Sequence, residues 1–261
     1  MGQPAGSVDA SEKLFGLRPV TEALRAGSRA FVKIFVTHRD RQFTPIIQLA
    51  KAQGVPIMVE PREQLDRLVP QGHHQGVVGL VASKAYASEE DVLAYAWSQL
   101  SPPFLVAFDG IEDPQNLGAS IRTAEVAGVQ GIFIPERRSV GLTASVARAS
   151  AGALEYMRVA RTTNIGKLVD RLEADGIVTV AFDPDTDAVY TNCDYKRPVM
   201  LVFGSEGKGL RRGVWDKCQE HVRIPVHGQI QSLNVSASVA AVVFEVVRQR
   251  MKTGSEQARI I

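Results

Sequence analysis

The side chains best placed to do chemistry fall in three separated stretches. In DGIEDPQNLGASIRTAEVAG, residues 109–128, Asn116 and Arg122 stand six positions apart after the apolar run Phe104–Phe108. The pattern predicts a helix over 117–127, with Asn116 just before it and Arg122 one or two turns in. Gly118 and Ala119 leave the start of that helix uncrowded. Helix N-termini attract anions, and a guanidinium grips a phosphate through two parallel hydrogen bonds. The same pair has a plainer use, in which Asn116 caps the helix and Arg122 makes a surface ion pair.

The second stretch, GSEGKGLRR at 204–212, follows the apolar run Val199–Phe203 and holds three glycines in six residues. Such a backbone turns tightly and admits a ligand at close range. It is neither a Walker loop, which needs four residues between its first Gly and Gly-Lys, nor a GxGxxG fingerprint. The other reading is a glycine turn with Glu206 solvated. The third stretch, 224–250, runs IPVHGQIQSLNVSASVAAVVFEVVRQR, with Gly228 in a loop and a long apolar helix expected over 232–251. Ser232, Asn234, Ser236 and Ser238 crowd its first turns. Capping accounts for one or two of them. The rest leave room for a ligand or another subunit against the helix end.

These stretches need a frame. Near-continuous apolar runs at 104–108, 131–134, 177–182, 199–203 and 222–224 read as strands buried on both faces of a parallel sheet. Helices are expected between them at 117–127, 165–174 and 232–251. Strands alternating with helices predict an α/β domain whose ligand lies at the carboxyl ends of the strands. Ahead of it, strands at 31–37, 55–59 and 77–82 alternate with helices at 20–26, 45–53 and 62–68, the second closed by Gly54 at C′. A helix at 89–100 with Ser88 as N-cap occupies the polar stretch between the two parts. The expected organisation is a flexible tail at 1–11, an N-terminal domain at 12–83, a linker with a helix at 84–102, a second domain at 103–252 and a tail at 253–261.

Composition narrows the class. The chain has 261 residues, of which 45% are hydrophobic and 22% charged, ordinary values for a globular protein. The longest near-apolar run, 237–247, already contains Glu245, whereas a spanning helix needs about 20 apolar residues. The first residues show no secretory apolar segment. Cys193 and Cys218 are too few for a disulfide framework or a four-cysteine zinc site, so a reducing, cytoplasmic setting is expected. Residues 1–85 carry a balance of +4 and the remainder −2. Within 18–41, Arg18, Arg25, Arg29, Lys33, Arg39 and Arg41 interleave with Phe31 and Phe35, a pattern open to RNA contact or to a solvated face. His73 and His74 are adjacent with no third ligand near in sequence, so no metal site is expected.

Taken together and in order, NLGASIRTAEVAGV, LVFGSEGKGL and IPVHGQIQSLNVSASVA resemble the three motifs of the SpoU/TrmH branch of the SPOUT RNA methyltransferases. FGLRPVTEALRAG and GHHQGVVG resemble the substrate-binding domain of bacterial members that 2′-O-methylate a guanosine of 23S ribosomal RNA. The resemblance spans residues 14–251. It implies an α/β domain whose C-terminal segment threads a deep trefoil knot, which general topology rules disfavour. It also implies a small ribosomal-protein-like α/β RNA-binding domain in front, S-adenosylmethionine as cofactor, ribosomal RNA as partner, and a homodimer with the active site at the subunit interface.

By the same resemblance Gly204, Ile224 and Leu233 hold the cofactor, and Asn116, Arg122, Glu206, Ser232 and Asn234 act on the substrate. Asn116 orients substrate or Arg122, Glu206 accepts a hydrogen bond from Arg122 or the ribose, and Ser232 and Asn234 hold the ribose. Family reasoning sometimes makes Arg122 the general base. A guanidinium does not ordinarily lose its proton, so clamping a phosphate or stabilising the forming alkoxide is physically easier. In this resemblance the His73–His74 loop touches RNA. Other readings are a tRNA 2′-O-methyltransferase, an adenosine-specific 23S enzyme of the thiostrepton-resistance type, and a non-catalytic RNA-binding assembly factor.

Overall fold

The computed structural model describes residues 11–70, 72–205, 207–230 and 232–251. The tails expected at 1–11 and 253–261 therefore lie outside it except for Ser11. In chain order the elements are β1 (Ser11–Phe15), α1 (Leu17–Ala26), β2 (Phe31–Val36), α2 (Thr44–Ala52), β3 (Ile57–Val59), α3 (Arg62–Leu68) and β4 (Val77–Ala82). They continue as α4 (Glu89–Ser98), β5 (Phe104–Phe108), α5 (Pro114–Val126), β6 (Gly131–Pro135), α6 (Ala144–Ala149), β7 (Val159–Thr162) and α7 (Ile165–Ala174). The last are β8 (Val178–Phe182), β9 (Val199–Phe203), α8 (Arg212–Trp215), β10 (Glu220–Val222) and α9 (Val235–Arg250).

The chain divides into two compact units. The first joins the described residues up to Ala85 to the excursion Gly141–Tyr156; the second comprises Tyr86–Val140 and the described residues from Met157 onward. In the first unit the sheet order is β1-β4-β2-β3, with β4 antiparallel to both neighbours and β2 parallel to β3. β1 begins at the last residue of the expected tail and runs into the N-terminal domain, where the sequence predicts no strand before 31. Arg29 is not on the surface: its Nε donates to Glu155 Oε2 over 3.0 Å, its Nη1 to Glu12 Oε2 over 3.0 Å, and its side chain is fully buried. His74 is also withdrawn. Its Nδ1 accepts from the Gly76 amide (3.0 Å) and its Nε2 meets Asp66 Oδ1 (2.9 Å), so of the two adjacent histidines only His73 is exposed.

The second unit holds a six-stranded sheet of order β10-β8-β9-β5-β6-β7, parallel throughout. Every residue of β5, β6 and β9 is buried, which is why these strands read as unbroken apolar runs. α7 shows the complementary helical pattern. Ile165, Leu168, Val169 and Leu172 are buried at i, i+3, i+4 and i+7, and the Asn164 side chain caps the Lys167 amide. α4, placed by sequence in a linker, starts at a Ser88–Asp91 capping box and gives Val92, Leu93 and Ala96 to this core. β7 escaped the apolar-run criterion because it is an edge strand flanked and interrupted by arginines. Arg158 stacks on Tyr95 (3.4 Å to the ring centroid) and Arg161 on Tyr86 (4.3 Å).

Two tests follow from the buried groups. Glu155→Ala leaves the Arg29 charge without its main partner, and a loss of about 3–5 kcal/mol is expected in urea unfolding. The double variant Arg29→Met/Glu155→Leu should recover much of that loss. Cys193 and Cys218 are free and buried, and burial pushes each thiol up to about 12, with Glu220 adding to the shift at Cys193. Iodoacetamide at pH 8 should therefore leave both unlabelled in the native protein by intact mass, and label both in urea.

Candidate active site

β5, β8, β9 and β10 end on one side of the parallel sheet, and the loops that leave them carry the three chemical stretches. Between the loops lies a cavity of about 300 Å³. Gly204, Ile224, Ser232 and Leu233 all line it, so residues from 204 to 233 that sequence predicts as one site do converge. Its apolar wall is Phe203 stacked on Phe182, with centroids 4.7 Å apart and planes 8° from parallel. Leu233 is 49% exposed, an apolar side chain offered to an incoming molecule rather than to the core.

Gly204 has a different physical reason from the one expected. A Cβ there would lie 2.2 Å from the Gly209 carbonyl carbon and 2.4 Å from the Leu210 amide nitrogen. The glycine makes room for the loop's own return, not directly for a ligand. Paired backbone hydrogen bonds close that return: Ser205 N to Gly209 O (3.0 Å) and Gly209 N to Ser205 O (2.9 Å). The loop is then tied to the end of β5 by Asp109. This carboxylate, 3% exposed, accepts from the Arg211 backbone amide (2.9 Å) and from Arg211 Nε (2.8 Å to Oδ1), and pairs with Nη2. The Asp109 carboxylate in turn holds the Arg211 guanidinium above its ordinary pKa. Sequence reasoning missed both residues. The available signal was an acidic residue directly after a buried strand, a signal repeated at Asp183, which lines the cavity at the end of β8.

The first and third stretches meet through two amides. Asn234 Nδ2 donates to Asn116 Oδ1 over 2.9 Å. Asn234 is the N-cap of α9, its Oδ1 accepting from Ser236 N (2.9 Å) and Ser236 Oγ (2.7 Å). With Oδ1 committed to the helix, the amide nitrogen is left to face Asn116; an aspartate would cap equally well but bring no proton. The helix thus begins at Val235, not at Ser232, and Ser232 sits in the loop that lines the cavity. Likewise α5 begins at Pro114 with Asp113 as its cap, accepting from the Gln115 and Asn116 amides. Asn116 is therefore inside the first turn and is not the cap.

Arg122 stands apart. It is exposed on α5, does not line the cavity, and has no ion-pair or hydrogen-bond partner among the described residues. Glu206 lies outside the described residues. Among the described residues no group of three His, Cys, Asp or Glu side chains converges as a metal site. No helix there is long and apolar enough to cross a membrane.

Comparison with known proteins bears on this arrangement. Residues 103–244 match the SpoU rRNA methylase family, and residues 13–87 match a substrate-binding family of RNA 2′-O ribose methyltransferases. A Bacillus subtilis (strain 168) protein assigned by name to the TrmH family of tRNA/rRNA methyltransferases is 40% identical over 92% of this chain and 97% of its own length. The AdoMet-bound rRNA methyltransferase from Sinorhizobium meliloti superposes with a TM-score of 0.77 at 26% identity, covering 93% of this chain and 88% of that one. The SpoU methyltransferase AviRb from Streptomyces viridochromogenes, solved with AdoMet, shares the fold with a TM-score of 0.77 at 24% identity over 92% of this chain and 90% of that one.

The loop geometry generates a direct test. Gly204→Ala should force the Ser205–Gly209 pair apart while the sheet survives. Hydrogen exchange would then show faster exchange at the Ser205 and Gly209 amides, with β5 and β9 protected as before. Asp109→Asn should produce a weaker version of the same pattern.

Proposed function

The chain belongs to the SpoU rRNA methylase family and is an RNA methyltransferase, and from that premise we propose that it uses S-adenosylmethionine to methylate the 2′-hydroxyl of a guanosine ribose in 23S ribosomal RNA. One observation carries the proposal. The cavity of about 300 Å³ bounded by Gly204, Ile224 and Leu233 has a mixed lining in which apolar side chains meet a glycine loop, and the Asn116–Asn234 amide pair ties the first motif to the third, whose Ser232 and Leu233 line that cavity. Such a cavity suits an adenosine, whose flat base packs on Ile224 and Leu233 while its polar edges meet main chain.

When bound, S-adenosylmethionine supplies a methyl group already activated by its positive sulfur. The chain's own work is alignment and charge. A ribose hydroxyl is a very weak acid, so oxygen and methyl carbon must be held at about 3–3.5 Å and the growing negative charge must be met by a cation or a proton acceptor. Ser232 and Asn234 hold the sugar. Arg122, exposed and without a partner among the described residues, clamps the neighbouring phosphate or stabilises the alkoxide. By the family resemblance Glu206 accepts a hydrogen bond from that guanidinium or from the ribose.

A homodimer fits this reading. Arg122 does not line the cavity of its own chain, as expected if it serves a site shared between copies. α5 and α9, which pack together, expose Val126 (56%) and Phe244 (46%) for such a contact. The path of the C-terminal segment supports the trefoil knot. β10 lies on the outer edge of the sheet beside β8, yet α9, which follows it, packs on α5, so the chain recrosses strands already laid down. We assign residues 12–83 to RNA binding through a ribosomal-protein-like fold, in line with the substrate-binding match over 13–87. Free thiols at Cys193 and Cys218 accord with a reducing, cytoplasmic setting.

The assay offers unmethylated 23S ribosomal RNA and bulk tRNA side by side with methyl-labelled cofactor. Label in a guanosine ribose of the ribosomal RNA is expected; label confined to tRNA, or to an adenosine, would replace the substrate assignment. Arg122→Ala should lower transfer by about a hundred- to a thousand-fold, with cofactor affinity by calorimetry unchanged within a few-fold. Turnover that survives this change would refute the role given to Arg122.

A further inference from the structure

Next to the cofactor cavity the same sheet edge carries a second hollow that the mechanism above does not use. It has a volume of about 500 Å³ and is lined by Pro135, Glu136, Arg137, Arg138 and Thr163, at the carboxyl ends of β6 and β7. Arg137 and Arg138 are both exposed, and neither side chain has an ion-pair or hydrogen-bond partner among the described residues. Glu136 is the one acidic group in the lining, so the turn carries two guanidinium groups against one carboxylate.

The backbone here is held in a costly shape. Arg138 has φ 65°, in the left-handed region that disfavours side chains other than Gly and Asn. Two ladder-like hydrogen bonds fix it: Ile111 N donates to Arg138 O (3.0 Å), and Val140 N donates to Ile111 O (2.8 Å). Such strain persists where the surrounding structure over-determines it, and it clusters at ligand clamps and active sites. The turn is also close to the chemistry. A methyl group on Gly110 would lie 3.1 Å from Ser205 Cβ, on the cofactor cavity wall, and 3.6 Å from Arg138 O. Gly110 thus lies between Ser205 of the cavity wall and Arg138 of the second hollow, and α5 with Asn116 begins three residues after Ile111.

We propose that Arg137 and Arg138 form an anion subsite that grips a phosphodiester of the RNA strand beside the target ribose. The inference rests on reading the chain as an RNA ribose methyltransferase and adds to it the residues that fix the strand's register. Two adjacent guanidinium groups suit this task because each matches the geometry of a phosphate through paired donors. Backbone phosphate contacts set position without reading sequence, so the subsite should act on all RNA ligands alike.

The test compares wild type with Arg137→Gln, Arg138→Gly and the double variant. Arg138→Gly suits the left-handed turn, so it should melt no lower than wild type and removes the guanidinium without unfolding the loop. Affinity for transcribed, unmethylated 23S ribosomal RNA is measured by filter binding between about 50 and 200 mM KCl. S-adenosylmethionine affinity is measured by calorimetry on the same samples. The double variant should bind RNA roughly ten-fold more weakly, its salt slope should fall by about 0.7–0.9 per guanidinium removed, and cofactor affinity should not move. An unchanged affinity and salt slope would overturn the subsite. So would a loss of cofactor affinity in step with RNA affinity, because the turn would then act through the cavity wall. A wild-type chain that binds the cofactor but no RNA would overturn the functional reading, and the subsite with it.

Discussion

The loops around the cavity depend on a single buried carboxylate. Asp109 ends β5 in a place where an unpaired charge would be costly, and Arg211 neutralises it with side chain and main chain together. Because the contact includes the Arg211 amide, it fixes the position of the backbone after the glycine loop as well as its charge. The loop can then double back so tightly that residue 204 has no space for a Cβ. The cavity's shape is thus set by electrostatics at one end and by steric exclusion at the other, and a ligand finds it formed in advance.

Polar order in the rest of the site comes from helix ends. Asp113 caps α5 and Asn234 caps α9, and each cap settles where the neighbouring amide points. Asn234 does both jobs at once. Its oxygen closes the helix and its nitrogen reaches Asn116, so the geometry between two distant motifs is fixed by a residue whose first duty is local. Ser236 sharpens this by giving two hydrogens to the same oxygen.

Much of this was legible in the sequence, and the failures have physical causes. Strands buried on both faces, such as Val199–Phe203, announce themselves by apolarity alone. β7 does not, since an edge strand needs only one apolar face and can carry Arg161 on the other. The convergence of Gly204, Ile224, Ser232 and Leu233 followed from motif resemblance, not from spacing, because contacts across tens of residues leave no periodic trace. Arg29 looked like part of a basic surface since sequence shows charge but not its partner; Glu155, 126 positions away, takes it into the interior. Asp109 and Arg211 went unnoticed for the same reason, being 102 positions apart.

The excursion Gly141–Tyr156 makes the N-terminal unit discontinuous in sequence. Its carboxylate at Glu155 also receives Ser28 Oγ, and its main chain receives the Lys84 ammonium, so the excursion is bonded into that unit at several points. A gene fragment cut anywhere in the polar stretch after Ala85 would encode a unit that has left part of itself behind. Moved as one contiguous block, residues up to Ala85 would lose the ion pair that Glu155 makes with Arg29.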